Sequence, residues 1–150
     1  MDDFSGTWRL DAEASRFHGP APASLLMKID HRGQELTQHI IASNGAGAEQ
    51  RRVFACRIGE EAISVVGETT LKIHAYWQDG DVEAGELIIE TAMSRQDRTM
   101  DFKDCWSLSA DHTRLAMEHR DDTLAGQIVI LLRDDSAATA AAFLDLTPPP

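Results

Sequence analysis

Basic residues are scarce in this sequence. Lysine and arginine together number 14, against 25 aspartates and glutamates, so the formal net charge is -11 at pH 7. Such a negative field repels the phosphates of nucleic acids unless a strong local basic patch offsets it. The densest basic spot is the pair Arg51-Arg52, which is too small to be such a patch. Nucleic acid is therefore not expected as a partner.

Long hydrophobic runs are absent. No run is longer than five residues, as in Ile128-Val129-Ile130-Leu131-Leu132, whereas a membrane-spanning helix needs roughly 18 to 20 apolar residues. The start, Met1-Asp2-Asp3-Phe4, also lacks the basic residues and apolar stretch of a signal peptide. We therefore expect no membrane insertion and a cytoplasmic location, unless a leader has been removed.

Cysteine is scarce as well, and the familiar catalytic motifs are missing. Cys56 and Cys105 lie far apart, with no Cys-x-x-Cys or His-Cys grouping, so neither a disulfide framework nor a metal site is predicted, and two buried free thiols are expected. The sequence has no Gly-x-Ser-x-Gly elbow, and its Asn44-Gly45-Ala46-Gly47 segment precedes no helix that could bind phosphate. No cofactor is predicted.

Short segments of alternating polarity, separated by Gly, Asp and Asn, fill most of the chain. This period of two is typical of half-buried antiparallel strands. The predicted strands are 4–10, 24–32, 36–42, 50–58, 62–66, 70–77, 86–93, 98–108, 113–120 and 126–133.

Two hairpins have a register that can be tested, because correct pairing places apolar residues of both strands on one face. A turn at Gly33-Gln34, with glycine first as a type II′ turn prefers, sets Met27 opposite Ile40. A turn at 111–112 sets Trp106 opposite Met117. Consecutive hairpins of this kind form an up-and-down meander, which removes its exposed edges by closing on itself.

The fold predicted from this pattern is an all-β antiparallel barrel of about 8 to 10 strands, with a two-sheet sandwich as the alternative. Residues 1–134 are expected to form the barrel, and residues 135–150 an alanine-rich helix and a proline-terminated tail. Ser136 can cap that helix, which either frays or docks through Phe143 and Leu144. The strand 126–133 has two apolar faces, so the helix or a second copy in a homodimer is expected to cover the outer one.

The segment Phe4-Ser5-Gly6-Thr7-Trp8-Arg9-Leu10, with Gly-x-Trp on the first strand, resembles the opening of lipocalin-like and fatty-acid-binding barrels, the calycin group. With Trp106-Ser107-Leu108 and Val129-Ile130-Leu131-Leu132-Arg133, the resemblance extends over residues 4 to 133 and points to a bacterial lipocalin-like domain family. It implies that Arg133 stacks on Trp8 and closes the barrel base, a cation–π contact. The sequence lacks the Arg-x-Tyr pair with which intracellular fatty-acid carriers hold a carboxylate.

A barrel of this size either holds one small ligand or fills with side chains. The strand registers place Ile29, Ile73 and Ile89 on the interior face, together with the residues that we predict to contact a ligand. The predicted ligand-binding residues are Met27, Gln38, Ile40, Phe54, Trp77, Thr91, Phe102, Asp104, Trp106, Met117 and His119.

Asp104 and His119 are cross-strand neighbours in the register that pairs the apolar residues. A carboxylate beside an imidazole fixes the tautomer and raises its basicity, as a general base requires. Three functions follow: a carrier or sensor of a small apolar or amphipathic molecule, a barrel cyclase or isomerase in which Asp104 and His119 move a proton, and an interaction domain with a filled core. The first is preferred, without catalytic residues.

Overall fold

Ten strands and one short helix make up the described part of the chain. The computed structural model describes residues 4–17, 20–78, 86–121 and 126–144, apart from the side chains of Val66 and Asp121. Each strand begins and ends within two residues of its predicted bounds. The elements are β1 (Gly6–Leu10), β2 (Ser24–Arg32), β3 (Glu35–Ser43), β4 (Glu49–Arg57), β5 (Glu61–Val66), β6 (Thr69–Trp77), β7 (Glu86–Arg95), β8 (Arg98–Leu108), β9 (Arg114–Asp121), β10 (Gln127–Arg133) and α1 (Ala137–Ala142).

The strands form one antiparallel sheet that curls into a nearly closed barrel. Their order is β4-β3-β2-β1-β10-β9-β8-β7-β6-β5, so β1 pairs with both β2 and β10. The two edges, β4 and β5, lie near each other without a hydrogen-bonded ladder between them. This confirms the predicted all-β barrel with a short C-terminal helix, in place of the sandwich alternative. The gap between β4 and β5 was not predicted.

The hairpin registers agree with the prediction. Met27 lies opposite Ile40 in the β2–β3 pair, and Gly33 has a φ of 60°, as the first position of a type II′ turn needs. Trp106 lies opposite Met117 in the β8–β9 pair. Because side chains alternate across a strand, each register fixes which residues point into the barrel.

The connection between β8 and β9 is longer than a two-residue turn. Its residues 109–113 lie outside both strands, and the Asp111 carboxylate accepts hydrogen bonds from the Ser109 hydroxyl and from the Thr113 backbone and hydroxyl. These bonds favour the ionised form and lower the pKa of Asp111 to about 2. Hydrogen bonds to the Asp111 side chain thus stand in this loop where a shorter turn would have backbone hydrogen bonds between the strands.

One end of the barrel is closed by Trp8 and Arg133. The Arg133 guanidinium carbon lies 4.4 Å from the centre of the Trp8 ring, and its Nη1 donates to the Ser5 carbonyl oxygen at 3.0 Å. The Trp8 side chain is fully buried, and its Nε1 donates to the Phe4 carbonyl oxygen at 3.1 Å. Gly6 has a φ of 144°, and a Cβ there would collide with Arg133 Nη1. Only glycine therefore fits beside this guanidinium.

Aromatic rings fill the space next to this plug. Phe4 stacks on Trp77 at a centroid distance of 6.0 Å and meets the Trp106 ring edge-on at 5.7 Å. His31, also buried, stacks on Phe4 at 5.7 Å, accepts a hydrogen bond from the Phe4 amide through Nδ1, and contacts the Gly33 carbonyl oxygen through Nε2. These packed rings form a solid floor for the barrel interior.

The C-terminal helix begins at its predicted cap and docks through one residue. The Ser136 side chain accepts a hydrogen bond from the Thr139 amide, and Phe143 is buried, whereas Leu144 is exposed. The expectation that Leu144 docks is wrong, because the chain turns after Phe143 and leaves it in solvent. No described helix has the length and apolar character to cross a bilayer.

The outer face of β10 is partly covered. Val129 and Leu131 point into the barrel and are buried, whereas Ile128, Ile130 and Leu132 are half-buried. The Arg16 backbone forms a bridge with Ile128, so the link between β1 and β2 contributes to this cover. The predicted homodimer stays a prediction.

Candidate functional site

A cavity of about 500 Å³ occupies the barrel above the aromatic floor. Its wall comes from strands β3, β4, β6, β7, β8 and β9, and it extends from Trp106 and Leu36 towards the turns 66–69 and 95–98. Most of the lining side chains are apolar, as is usual for sites that bind small molecules. The lining consists of Leu36, Gln38, Ile40, Arg52, Phe54, Ala55, Cys56, Leu71, Ile73, Ile89, Thr91, Met93, Phe102, Asp104, Trp106, Met117 and His119.

All but two of the predicted ligand-binding residues lie in this lining. The residues brought together are Gln38, Ile40, Phe54, Thr91, Phe102, Asp104, Trp106, Met117 and His119.

Met27 and Trp77 lie elsewhere. Met27 is buried in the core, where its sulfur accepts a hydrogen bond from Gln38 Nε2 at 3.1 Å. Trp77 packs on Phe4 at the closed end. Both face inward as the alternation requires, but they sit at a depth where side chains fill the barrel. The structure therefore does not bring these two predicted residues into the cavity lining.

Sequence reasoning missed several lining residues, above all Arg52 and Cys56 on β4. Both share the face of Phe54, so the alternation that placed Phe54 inside was the signal for them. The expectation of two buried thiols was also inexact, since Cys56 and Cys105 are free but half-buried. Burial raises the pKa of the Cys56 thiol, which keeps it protonated at neutral pH.

Asp104 and His119 form the polar centre of the cavity wall. They are direct partners in the β8–β9 ladder, and His119 Nδ1 lies 2.7 Å from Asp104 Oδ1. The Phe102 ring stacks on the imidazole at a centroid distance of 5.4 Å. Their side chains are 29% and 34% exposed, respectively, so the pair lies inside the wall while a bound molecule could still reach it.

The electrostatics of the pair follow from its position. Burial raises the pKa of Asp104, and the hydrogen bond and charge of His119 oppose that rise. If Nδ1 carries a proton, it donates to the carboxylate, and Nε2 of the neutral ring is then an acceptor. The pair can accept a hydrogen bond from a ligand or take a proton from one.

A second depression, of about 540 Å³, lies mainly on the outer face of β5 to β9. Several of its charged side chains have partners on the same surface: Lys72 Nζ lies 3.4 Å from Glu61 Oε2, and Tyr76 donates to Glu90 at 2.8 Å. Such exposed pairs are well solvated and contribute little. The inner cavity is therefore the candidate site.

Comparisons with known proteins identify the fold. No protein-family model and no curated protein matches the sequence. An abundant heat soluble (SAHS) protein of Ramazzottius varieornatus has a TM-score of 0.61 at 11% identity, over 89% of this chain and 98% of that chain. Lipid binding protein 8 of Caenorhabditis elegans has a TM-score of 0.57 at 10% identity, over 87% and 95% of the respective chains.

A third solved structure, the REP1-NXSQ fatty acid transporter, has a TM-score of 0.57 at 13% identity, over 89% of this chain and 98% of that chain. Likeness at such identities bears on architecture, since unrelated functions share a fold. The chain has the calycin-like barrel fold that the Gly-x-Trp resemblance implied.

Proposed function

We propose that the protein binds one small hydrophobic or amphipathic molecule inside its barrel, as a carrier or a sensor. The observation that supports this most is the cavity of about 500 Å³, which has a closed aromatic floor, a largely apolar wall and the hydrogen-bonded pair of Asp104 and His119. Burial of apolar ligand surface contributes about 25 cal/mol per Å², before the entropy of association is deducted. The open interior gives the filled-core alternative no support.

The names of two fold neighbours agree with this proposal. One is called a fatty acid transporter and another a lipid binding protein. A barrel of this fold with an apolar cavity supports the same class of ligand here. Because unrelated functions share a fold, the cavity itself carries the proposal.

A fluorescence titration tests the proposal. The neutral probe N-phenyl-1-naphthylamine is expected to brighten and shift to the blue on binding, with one molecule per chain and displacement by a long-chain alcohol. The reason is that the probe leaves water for an apolar enclosure. Absence of saturable binding, or binding of many molecules per chain, contradicts the proposal.

A second candidate function is proton transfer, as in an isomerase or a cyclase. It is favoured by the 2.7 Å contact of Asp104 with His119 on the cavity wall, which gives an imidazole poised as a base. If the wild type converts a bound ligand and Asp104→Asn binds the ligand without converting it, proton transfer by this pair is established. If Asp104→Asn converts the ligand as fast as the wild type does, this role is excluded.

Two finer assignments complete the proposal. The first is membership of a bacterial lipocalin-like domain family, on the resemblance over residues 4 to 133. A sequence profile built from bacterial lipocalin-like domains tests this membership: it should align with residues 4 to 133, and failure to align contradicts the assignment. The second is a cytoplasmic location, which fractionation of the source cells tests.

A further inference from the structure

The Asp104–His119 pair in the cavity wall offers a ligand hydrogen-bond acceptors. Asp104 presents a carboxylate, and a His119 ring that carries its single proton on Nδ1, facing that carboxylate, presents Nε2 as an acceptor. The amide nitrogen of Gln38 uses one of its two hydrogens on the Met27 sulfur. A headgroup that reaches this pair therefore meets groups that accept hydrogen bonds and carry negative charge.

The polar pair lies close to the floor. Asp104 is two residues from Trp106 on the same face of β8, a separation of roughly 7 Å along a strand, and Trp106 is buried in the floor. His119 is likewise two residues from Met117, the partner of Trp106. A ligand that fills the cavity thus brings one of its ends next to the pair.

Positive charge in the lining lies nearer the opening. Arg52 is the only lysine or arginine among the described lining residues. It lies four residues along β4 from Cys56, which pairs with the buried Leu36 at floor level. The side chain is exposed, and its Nη2 donates to Gln50 Oε1 at 3.0 Å. Arg52 therefore does not offset the charge of Asp104 at the floor.

We propose that the cavity selects amphiphiles whose headgroup donates hydrogen bonds, such as an alcohol or an amine, over amphiphiles with a carboxylate headgroup. This selectivity rests on the proposed binding function and names the class of ligand that is bound. A donor headgroup satisfies Asp104 and His119, whereas a carboxylate at the same depth faces a like charge in a poorly hydrated site. The net charge of -11 acts in the same direction.

A competition series with matched tails tests this selectivity. N-phenyl-1-naphthylamine is displaced at pH 8 by 1-dodecanol, dodecylamine or dodecanoate, of which the amine is protonated and the acid ionised. The alcohol, the amine or both are expected to displace the probe at concentrations at least about tenfold lower than dodecanoate, a factor that like-charge repulsion at low dielectric readily supplies. The stronger of the two identifies the donor as hydroxyl or ammonium.

Two aspartates on the same strand provide a matched pair of variants. The preference is the ratio between the dodecanoate concentration that displaces the probe and that of the better of the alcohol and the amine. Asp104→Asn is expected to lower this ratio by about tenfold, because it removes the buried charge and keeps the side-chain shape. Asp101→Asn, which changes the same charge on the exposed outer face of β8, should leave the preference as in the wild type. Equal responses of the two variants overturn the proposal.

The possible outcomes distinguish a failure of ligand binding from a failure of headgroup selectivity. If the probe does not bind, the proposed function itself fails. If the probe binds and dodecanoate displaces it as well as the alcohol and the amine do, or if none of the three displaces it, binding stands and the selectivity is wrong. These wild-type measurements need no variant, so the proposal is tested even if Asp104→Asn does not fold.

Discussion

Replacing Trp8 with alanine is expected to lower the free energy of unfolding by about 3–5 kcal/mol. The indole is fully buried, its Nε1 donates to the Phe4 carbonyl oxygen, and its face supports the Arg133 guanidinium at 4.4 Å. Alanine leaves a cavity, an unpaired carbonyl and an arginine without its aromatic partner. Urea unfolding followed by circular dichroism measures the change.

The neighbouring residue on β1 supplies the control. Arg9 points outward, with a side chain that is 55% exposed and an ion pair of 3.5 Å with Asp134. Arg9→Ala is expected to change the free energy of unfolding by about 0.5 kcal/mol or less, because exposed pairs contribute little. A Trp8→Ala loss below about 1 kcal/mol, or one equal to that of Arg9→Ala, contradicts the role of Trp8 as the plug that closes the barrel.

Filling the cavity is expected to abolish ligand binding. Thr91 lies on β7 between Ile73 and Phe102, and all three residues line the cavity. Thr91→Trp projects an indole into this space and competes with the ligand for volume. The affinity for N-phenyl-1-naphthylamine should fall by at least about tenfold, since a complementary site rejects a ligand through steric overlap. A fluorescence titration of folded protein, checked by circular dichroism, measures it.

The matched control is the next residue of the same strand. Ala92 faces the outside, where it lies opposite Lys72 and Asp101. Ala92→Trp adds the same ring to the outer face and should leave the affinity for the probe within about twofold of the wild type, because it does not enter the cavity. If both variants bind the probe as the wild type does, the site is not the barrel interior.

The barrel and the polar pair could be predicted because both depend on local pattern. The two-residue alternation and the turn at Gly33-Gln34 fix the register of β2 and β3 without knowledge of distant strands. The same arithmetic places Asp104 opposite His119, and the observed contact of 2.7 Å follows from it. Short-range pairing is thus encoded within each hairpin.

Depth along the barrel axis could not be predicted in this way. Alternation tells whether a side chain points inward but not whether the barrel is packed or open at that level. For this reason Met27 and Trp77 were predicted to contact a ligand, although they lie outside the cavity lining. The gap between β4 and β5 depends on how far the sheet curls, a property of all ten strands together. Such features arise from long-range packing, and no short segment specifies them.

The most direct test of the central claim is a set of intermolecular nuclear Overhauser effects between N-phenyl-1-naphthylamine and methyl groups of the protein. The barrel-interior account predicts contacts from the lining methyls of Ile40, Ile73 and Ile89. It predicts none from Val53, Ile63 and Val65, which are exposed apolar residues beside the β4–β5 gap. Contacts confined to this second group would show that the probe binds outside, and would contradict the account.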